Sequence, residues 1–320
     1  MLCTLEETIK LINEGKVLHI AADDSLLQQL PKGRWMGGTT PYLMSEKGGI
    51  QTTEWLLVDE IGYADEVRIV SYGKYNIFQV VEDCYENGLT ILIMPYGSGV
   101  SIQYSKGAPE IEELLMHPIV GWIAGFDLEK GGIPRVYDGT VGESYTDKAV
   151  VMYLKLPEGK TAMINMINIF SDDKSEPPIC FNAIDYSVKN CKLDGKEINL
   201  AEYIEGNKLD TDMPILTEYN GVYLNSTVKS VENGEVTFYA PIFRDMDYRF
   251  AVPVEDYAAE FRRKISEAGA TNPVFSCNCV LNFIKGELEG KEIPPFTGPA
   301  AFGEIAYHLL NQTLVYCEII

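Results

Sequence analysis

The sequence predicts a mixed α/β protein of the α+β type, in which two sheet-containing segments with flanking helices pack into one unit. Three observations predict it. Helical stretches with end signals alternate with short strand-like stretches along most of the chain. Asn233-Gly234 separates two strand-like runs, a strong hairpin signal. Hydrophobic residues make up 46% of the chain and charged residues 23%, the balance of a protein that buries a real core.

The elements follow in order. Thr4-x-x-Glu7 is a capping box, and Leu5, Ile9 and Ile12 continue at helical spacing until Gly15. Residues 17–22 are extended. Residues 25–30 form a short helix that Pro31 ends, and a second extended piece runs into Gly37-Gly38-Thr39-Thr40. Residues 54–61 and 67–72 read as strands. Ile77, Phe78, Val81 and Tyr85 share a helical face closed by Asn87-Gly88, and residues 89–94 form a buried strand. Residues 111–116 read as helix, and 118–126, 134–137 and 148–156 as strands.

Ser171-Asp172-Asp173-Lys174-Ser175-Glu176-Pro177-Pro178 is polar, charged and closed by two prolines. It places a boundary between a domain of residues 1–174 and one of residues 175–320. Beyond it, 222–231 and 235–240 are the strands of the Asn-Gly hairpin. Residues 255–268 form a helix with Tyr257, Phe261, Ile265 and Ala268 on its apolar stripe. Residues 273–281 read as a strand, 302–310 as a helix and 313–320 as a final strand.

The formal net charge of -21 disfavours contact with phosphate backbones and anionic lipid surfaces, so neither nucleic acid nor membrane is an expected partner. Residues 1–7 carry no basic stretch and no long apolar one, and no apolar run is long enough for a membrane span. A cytoplasmic location is the expectation. Seven scattered cysteines fit reduced thiols better than a disulfide framework.

A weak internal echo runs through the chain. Gly37-Gly38-Thr39-Thr40, Gly121-Trp122-Ile123-Ala124-Gly125-Phe126-Asp127 and Thr297-Gly298-Pro299-Ala300-Ala301-Phe302-Gly303-Glu304 are all glycine-punctuated ends of apolar segments. Their spacing is not that of a solenoid. Such loops form either tight turns or the rim of a shared pocket.

These segments carry a resemblance. Arg34-Trp35-Met36-Gly37-Gly38-Thr39-Thr40 and Val120-Gly121-Trp122-Ile123-Ala124-Gly125-Phe126-Asp127 resemble the N-terminal segment of the FIST sensory family. Phe275-Ser276-Cys277-Asn278, Phe296-Thr297-Gly298, Phe302-Gly303-Glu304-Ile305 and Asn311-Gln312-Thr313 resemble its C-terminal segment. The resemblance covers nearly the whole chain, making 1–174 FIST-N-like and 175–320 FIST-C-like within one FIST-like unit. It implies a non-catalytic input module for amino acids or related metabolites, acting through a signalling partner. One departure stands out: where the family continues Cys-Asn-Gly-Arg, this chain has Cys277-Asn278-Cys279-Val280.

The candidate ligand-binding residues are Gly37, Gly38, Thr39, Thr40, Asn278, Thr297, Gly298 and Glu304. Thr39 and Thr40 with nearby amides could form an anion nest, or simply a turn. Glu304 could accept a hydrogen bond from an amine or cap backbone amides. Cys277 is the alternative nucleophile, for a hydrolase or transferase acting on a small molecule. The same Cys277 and Cys279 also read as small buried apolar residues. Two cysteines fall short of a zinc site, and no further ligand pair has metal spacing. His19 reads as a core histidine and His117 as a helix end. His308 is the candidate axial ligand should haem bind, as the resemblance allows. Trp35, Trp122 and nineteen tyrosines could supply aromatic pocket walls.

Overall fold

The computed structural model describes residues 1–219 and 221–320. It is a mixed α/β protein, mostly strands, with seven α-helices and five β-sheets among the described residues. Much of the chain is one arrangement used three times. Each repeat runs strand, helix, strand, helix, strand, hairpin, strand.

The opening strands are Leu2–Cys3, Glu66–Gly73 and Ala162–Ile167. The first helices are Leu5–Asn13, Gln79–Glu82 and Tyr257–Glu267. A parallel pair then forms around the second helix: Leu18–Ala22 with Trp35–Thr39 around Asp24–Leu27, and Gly88–Pro95 with Ile119–Ala124 around Gly99–Gly107. In the third repeat Phe275–Cys279 pairs with Gly298–Ala301 around Val280–Lys285. The closing strands Leu56–Glu60, Lys148–Lys155 and Leu314–Ile319 return antiparallel beside the first strand of each pair.

The hairpins change sheets in a ring. Tyr42–Ser45 and Gly48–Gln51 of the first repeat extend the third sheet. Val136–Asp138 and Glu143–Tyr145 of the second extend the first. Glu304–Ala306 and His308–Leu310 of the third extend the second. The three six-stranded sheets that the repeats build therefore have the same strand order. One face of each sheet turns inward to a common core that includes Met36 and Leu57, Ile91 and Trp122, and Cys277 and Val315. The outer faces are covered by each repeat's helices.

The glycine echo marks equivalent positions. Gly37, Gly121 and Gly298 each lie on the second strand of a parallel pair, against a backbone carbonyl of the first. No side chain fits there, so glycine is required by close approach rather than by turn geometry.

Between the opening strand and first helix of the third repeat lies an inserted unit. Its strands, from Ile179–Cys180 to Asp247–Phe250, form a six-stranded and a three-stranded sheet. Ile179, Phe181, Leu200, Ile215, Phe238 and Tyr248 build its own core. The polar stretch 171–178 thus leads into an insertion. Strands on both sides of residue 174 share sheets, so 1–174 and 175–320 do not separate as structural halves.

Several local expectations hold. Thr4 and Glu7 form the capping box, and Asn233 and Gly234 take positive φ in a tight hairpin turn. Two do not. Residues 302–310 form the hairpin Glu304–Ala306 and His308–Leu310, with Tyr307 in the left-handed region. Their apolar spacing mimics a helix because these strands are buried on both faces. The strand expected over 273–281 stops at Cys279, where helix Val280–Lys285 begins. Helix Gly99–Gly107 was not expected; Ser98 caps it, but glycines bound it and its apolar periodicity is weak. No helix among the described residues is long and apolar enough to cross a membrane.

A cleft between the second repeat and the inserted unit

In open α/β sheets, ligands favour the carboxyl ends of parallel strands. In the second repeat that end is roofed by the inserted unit, which leaves a cleft of about 390 Å³. The body contributes Tyr96, just past strand Gly88–Pro95, Ser101 and Lys106 from helix Gly99–Gly107, and Phe302 and Leu309 from the transferred hairpin. The roof contributes Asp185, Tyr186, Lys229 and Tyr239.

The aromatic wall is ordered by ring contacts. Phe302 meets Tyr96 at 5.2 Å and Phe126 at 4.9 Å between ring centroids. Gly125 makes room for it, because a β-carbon there would overlap the Phe302 ring.

Three polar links cross the cleft itself. Lys106 pairs with Asp185 at 2.8 Å, the Ser105 hydroxyl meets the Tyr186 hydroxyl at 2.6 Å, and the Lys229 ammonium donates to the Tyr96 hydroxyl at 3.1 Å. Burial acts to raise the Asp185 pKa, but Lys106 and the Tyr186 amide hold it below the usual carboxylate range. Burial pushes the Tyr186 phenol up to about 12, so it stays neutral. Lys229 has no carboxylate partner among the described residues. It sits instead beside the Tyr96 ring, 5.6 Å from its centre. The cleft thus offers aromatic surface, hydroxyls and one cation without an anion, in a chain of net charge -21.

A family model matches residues 3–320, nearly the whole chain. The chain belongs to DUF6976. This is a family of unknown function. No curated protein and no solved structure matches the chain.

In this DUF6976 chain the residues singled out from sequence lie elsewhere, in the packed interior. The front and back sets do meet: the Thr40 hydroxyl donates to the Ala300 carbonyl at 2.8 Å. The contact is filled with protein. Thr39 donates to the Gly125 carbonyl at 2.7 Å and accepts from the Arg135 amide, so Thr39 and Thr40 are spent on backbone groups and form no anion nest. Gly37 and Gly38 face the Ile20 carbonyl and the Trp122 ring. Beside Asn278 and Gly298 there is no room even for a water molecule, and the Thr297 carbonyl accepts from Ser276 at 2.6 Å.

Glu304 is fully buried. One carboxyl oxygen accepts from the Thr313 amide at 3.1 Å and hydroxyl at 2.7 Å, and the other has no partner among the described residues. Burial raises its pKa to about 8 despite the Thr313 bonds. It caps backbone, the second of its two sequence readings. Cys277 is also fully buried, and burial together with nearby Glu304 drives its thiol pKa well upward. A nucleophile needs the opposite shift and access. The geometry therefore corrects the Cys277 alternative: this is a packed core residue.

His19 spends both ring nitrogens. The Trp122 indole donates to Nε2 at 2.9 Å, so the proton sits on Nδ1 and is donated to Asp59 at 2.9 Å. His308 borders a separate cavity of about 190 Å³, too small for a porphyrin. Among the described residues no group of three or more His, Cys, Asp or Glu side chains could hold a metal ion.

The cleft residues are not legible in the sequence because they come from stretches spread between residues 96 and 309. The only signal was compositional, the excess of tyrosine.

Proposed function

We propose that this protein is a non-catalytic binding protein for a small aromatic carboxylate, a class that includes the aromatic amino acids, and that the ligand occupies the cleft under the inserted unit. The observation that carries this reading is the pairing of aromatic walls with Lys229, the cleft cation without a carboxylate partner among the described residues. Its volume falls within the roughly 300–1,000 Å³ range of small-molecule sites. The acidic surface does not forbid an anion. At physiological ionic strength charges beyond about 8 Å are largely screened, so the local lysine decides.

The reading accords with the sensory role that the FIST resemblance implies, though not with the pocket expected from it. The links across the cleft are exposed or half-buried polar pairs, each worth about 0–1 kcal/mol. Buried hydrogen bonds of Asn225 and Thr227 to Asn311 and Gln312 anchor the inserted unit elsewhere, so ligand that bridges roof and body would shift the roof locally over the cleft. A signalling partner that reads that shift, in the cytoplasm, completes the proposal.

Thermal shift with benzoate, benzyl alcohol and benzylamine tests it. Benzoate should raise Tm in a dose-dependent way, corresponding to about 2.7 kcal/mol at a hundredfold excess over Kd. Benzylamine should not, and Lys229→Ala should remove the preference for benzoate. Equal responses to the three compounds, or none to benzoate, would defeat the proposal.

A further inference from the structure

Strand His308–Leu310 is the edge of the second sheet, and the inserted unit covers it. Neighbouring side chains on a strand face opposite ways. Leu309 faces the aromatic cleft, and His308 faces a second cavity, of about 190 Å³. Leu224, Phe243, Met246 and the Tyr219 ring also line it. Leu224 and Phe243 are themselves buried. The Tyr219 ring stands edge-on to His308 at 5.2 Å. At the mouth, Arg244 and Glu110 form an exposed ion pair at 2.7 Å.

His308 is only 5% exposed, yet neither ring nitrogen has a hydrogen-bond partner among the described residues. Buried polar groups are nearly always paired, and this imidazole borders the cavity with both ring nitrogens unspent. We propose that the cavity is a second ligand site, for a single-ring hydroxyl compound of the phenol class whose hydroxyl bonds His308.

Each part of that chemistry follows from the lining. The apolar floor calls for an apolar body. The volume excludes a nucleotide or a fused macrocycle. Burial holds the His308 pKa down to about 4, so at neutral pH the ring is uncharged, with one donor and one acceptor nitrogen. The charged lining residues, Asp245 and the Arg244–Glu110 pair, are exposed, while the floor beside His308 is uncharged, where a buried carboxylate or ammonium is costly and a hydroxyl finds a partner. This ligand differs from the aromatic carboxylate proposed for the cleft, and neither site depends on the other.

The test is a titration of the full chain with phenol and with toluene, its apolar counterpart, followed through the ring signals of ¹⁵N-labelled histidine. Phenol should move the His308 signals saturably and bind roughly tenfold more tightly than toluene. His308→Phe should erase that difference. Met246→Trp, which fills the cavity and keeps His308, should abolish the response to phenol. Toluene binding as tightly as phenol, or unmoved His308 signals, overturns the proposal. Should His308→Phe fail to fold, the Met246→Trp comparison decides alone, and a retained phenol response there also overturns it.

Discussion

Gly121 lies opposite Leu92 across the parallel pair of the second repeat, so close that a β-carbon on Gly121 would overlap the Leu92 carbonyl oxygen. Gly298 stands in the same relation to Ser276. In the first repeat the relation is looser, with 2.7 Å between a β-carbon on Gly37 and the Ile20 oxygen. A backbone atom cannot swing away as a side chain can. Gly121→Ala and Gly298→Ala should therefore each cost about 3 kcal/mol or more, and Gly37→Ala about 1–2 kcal/mol. Gly62→Ala, where the added carbon meets open space, should be near neutral. Urea unfolding midpoints rank the four variants, and equal losses at Gly62 and Gly121 would refute the close-approach account.

Glu304 and His308 sit four residues apart in one hairpin and push stability in opposite directions with pH. Burial lifts Glu304 from about 4.5 to about 8. The folded state then holds a proton that the unfolded state has released, so stability falls as pH rises through that window, by up to about 1.4 kcal/mol per unit. Burial lowers His308 from about 6.5 to about 4, so stability falls as pH drops through that range. Between about 4.5 and 6.5 the two contributions oppose each other. Glu304→Gln should stabilise the protein most above pH 8 and little at pH 4.5, while His308→Leu should help most near pH 4. Denaturation curves across pH 4–9 measure both, and a Glu304→Gln gain that does not grow with pH would sink the assignment.

Local signals were legible in the sequence where one stretch of chain decides the structure. The Thr4–Glu7 capping box and the Asn233-Gly234 turn each involve a few adjacent residues. The helix expected over 302–310 failed for a physical reason. Phe302, Ile305, Ala306, Leu309 and Leu310 have helical spacing, but strands covered on both faces place apolar residues without period. The glycine echo was visible as a pattern, yet its meaning required pairing partners far apart in the chain. The candidate site shows the same limit. Tyr96, Tyr186, Lys229 and Phe302 become neighbours only once the inserted unit folds over the second repeat. Asn278 and Glu304 stood out as polar residues amid apolar strands, and each spends one oxygen on interior hydrogen bonds while its other polar atom has no partner among the described residues.

The buried thiols make a direct check on the catalytic alternative. Cys277 and Cys279 are both fully enclosed, with thiol pKa values driven well upward by burial. Iodoacetamide at pH 7–8 should leave both unmodified in the native protein and label them after denaturation. Cys84 and Cys180, which are partly exposed, should react first. Mass spectrometry of tryptic peptides reads the order, and rapid labelling of native Cys277 would restore the nucleophile reading.

Gly125 offers a way to close the cleft without touching its polar groups. A β-carbon at this position would overlap the Phe302 ring, which already rests against Tyr96 and Phe126. The backbone at Gly125 is pinned on both sides, since its amide donates to the Thr39 carbonyl at 2.7 Å and its carbonyl accepts from the Thr39 hydroxyl. The ring must move instead, and the free volume beside it is the cleft. Gly125→Ala should therefore weaken benzoate binding by about tenfold or more, the equivalent of losing about 1.4 kcal/mol, while the fold persists. Calorimetric titration beside a thermal melt separates the two effects. Unchanged affinity in a folded Gly125→Ala protein would mean that Phe302 does not wall the site and that the ligand, if bound, sits elsewhere.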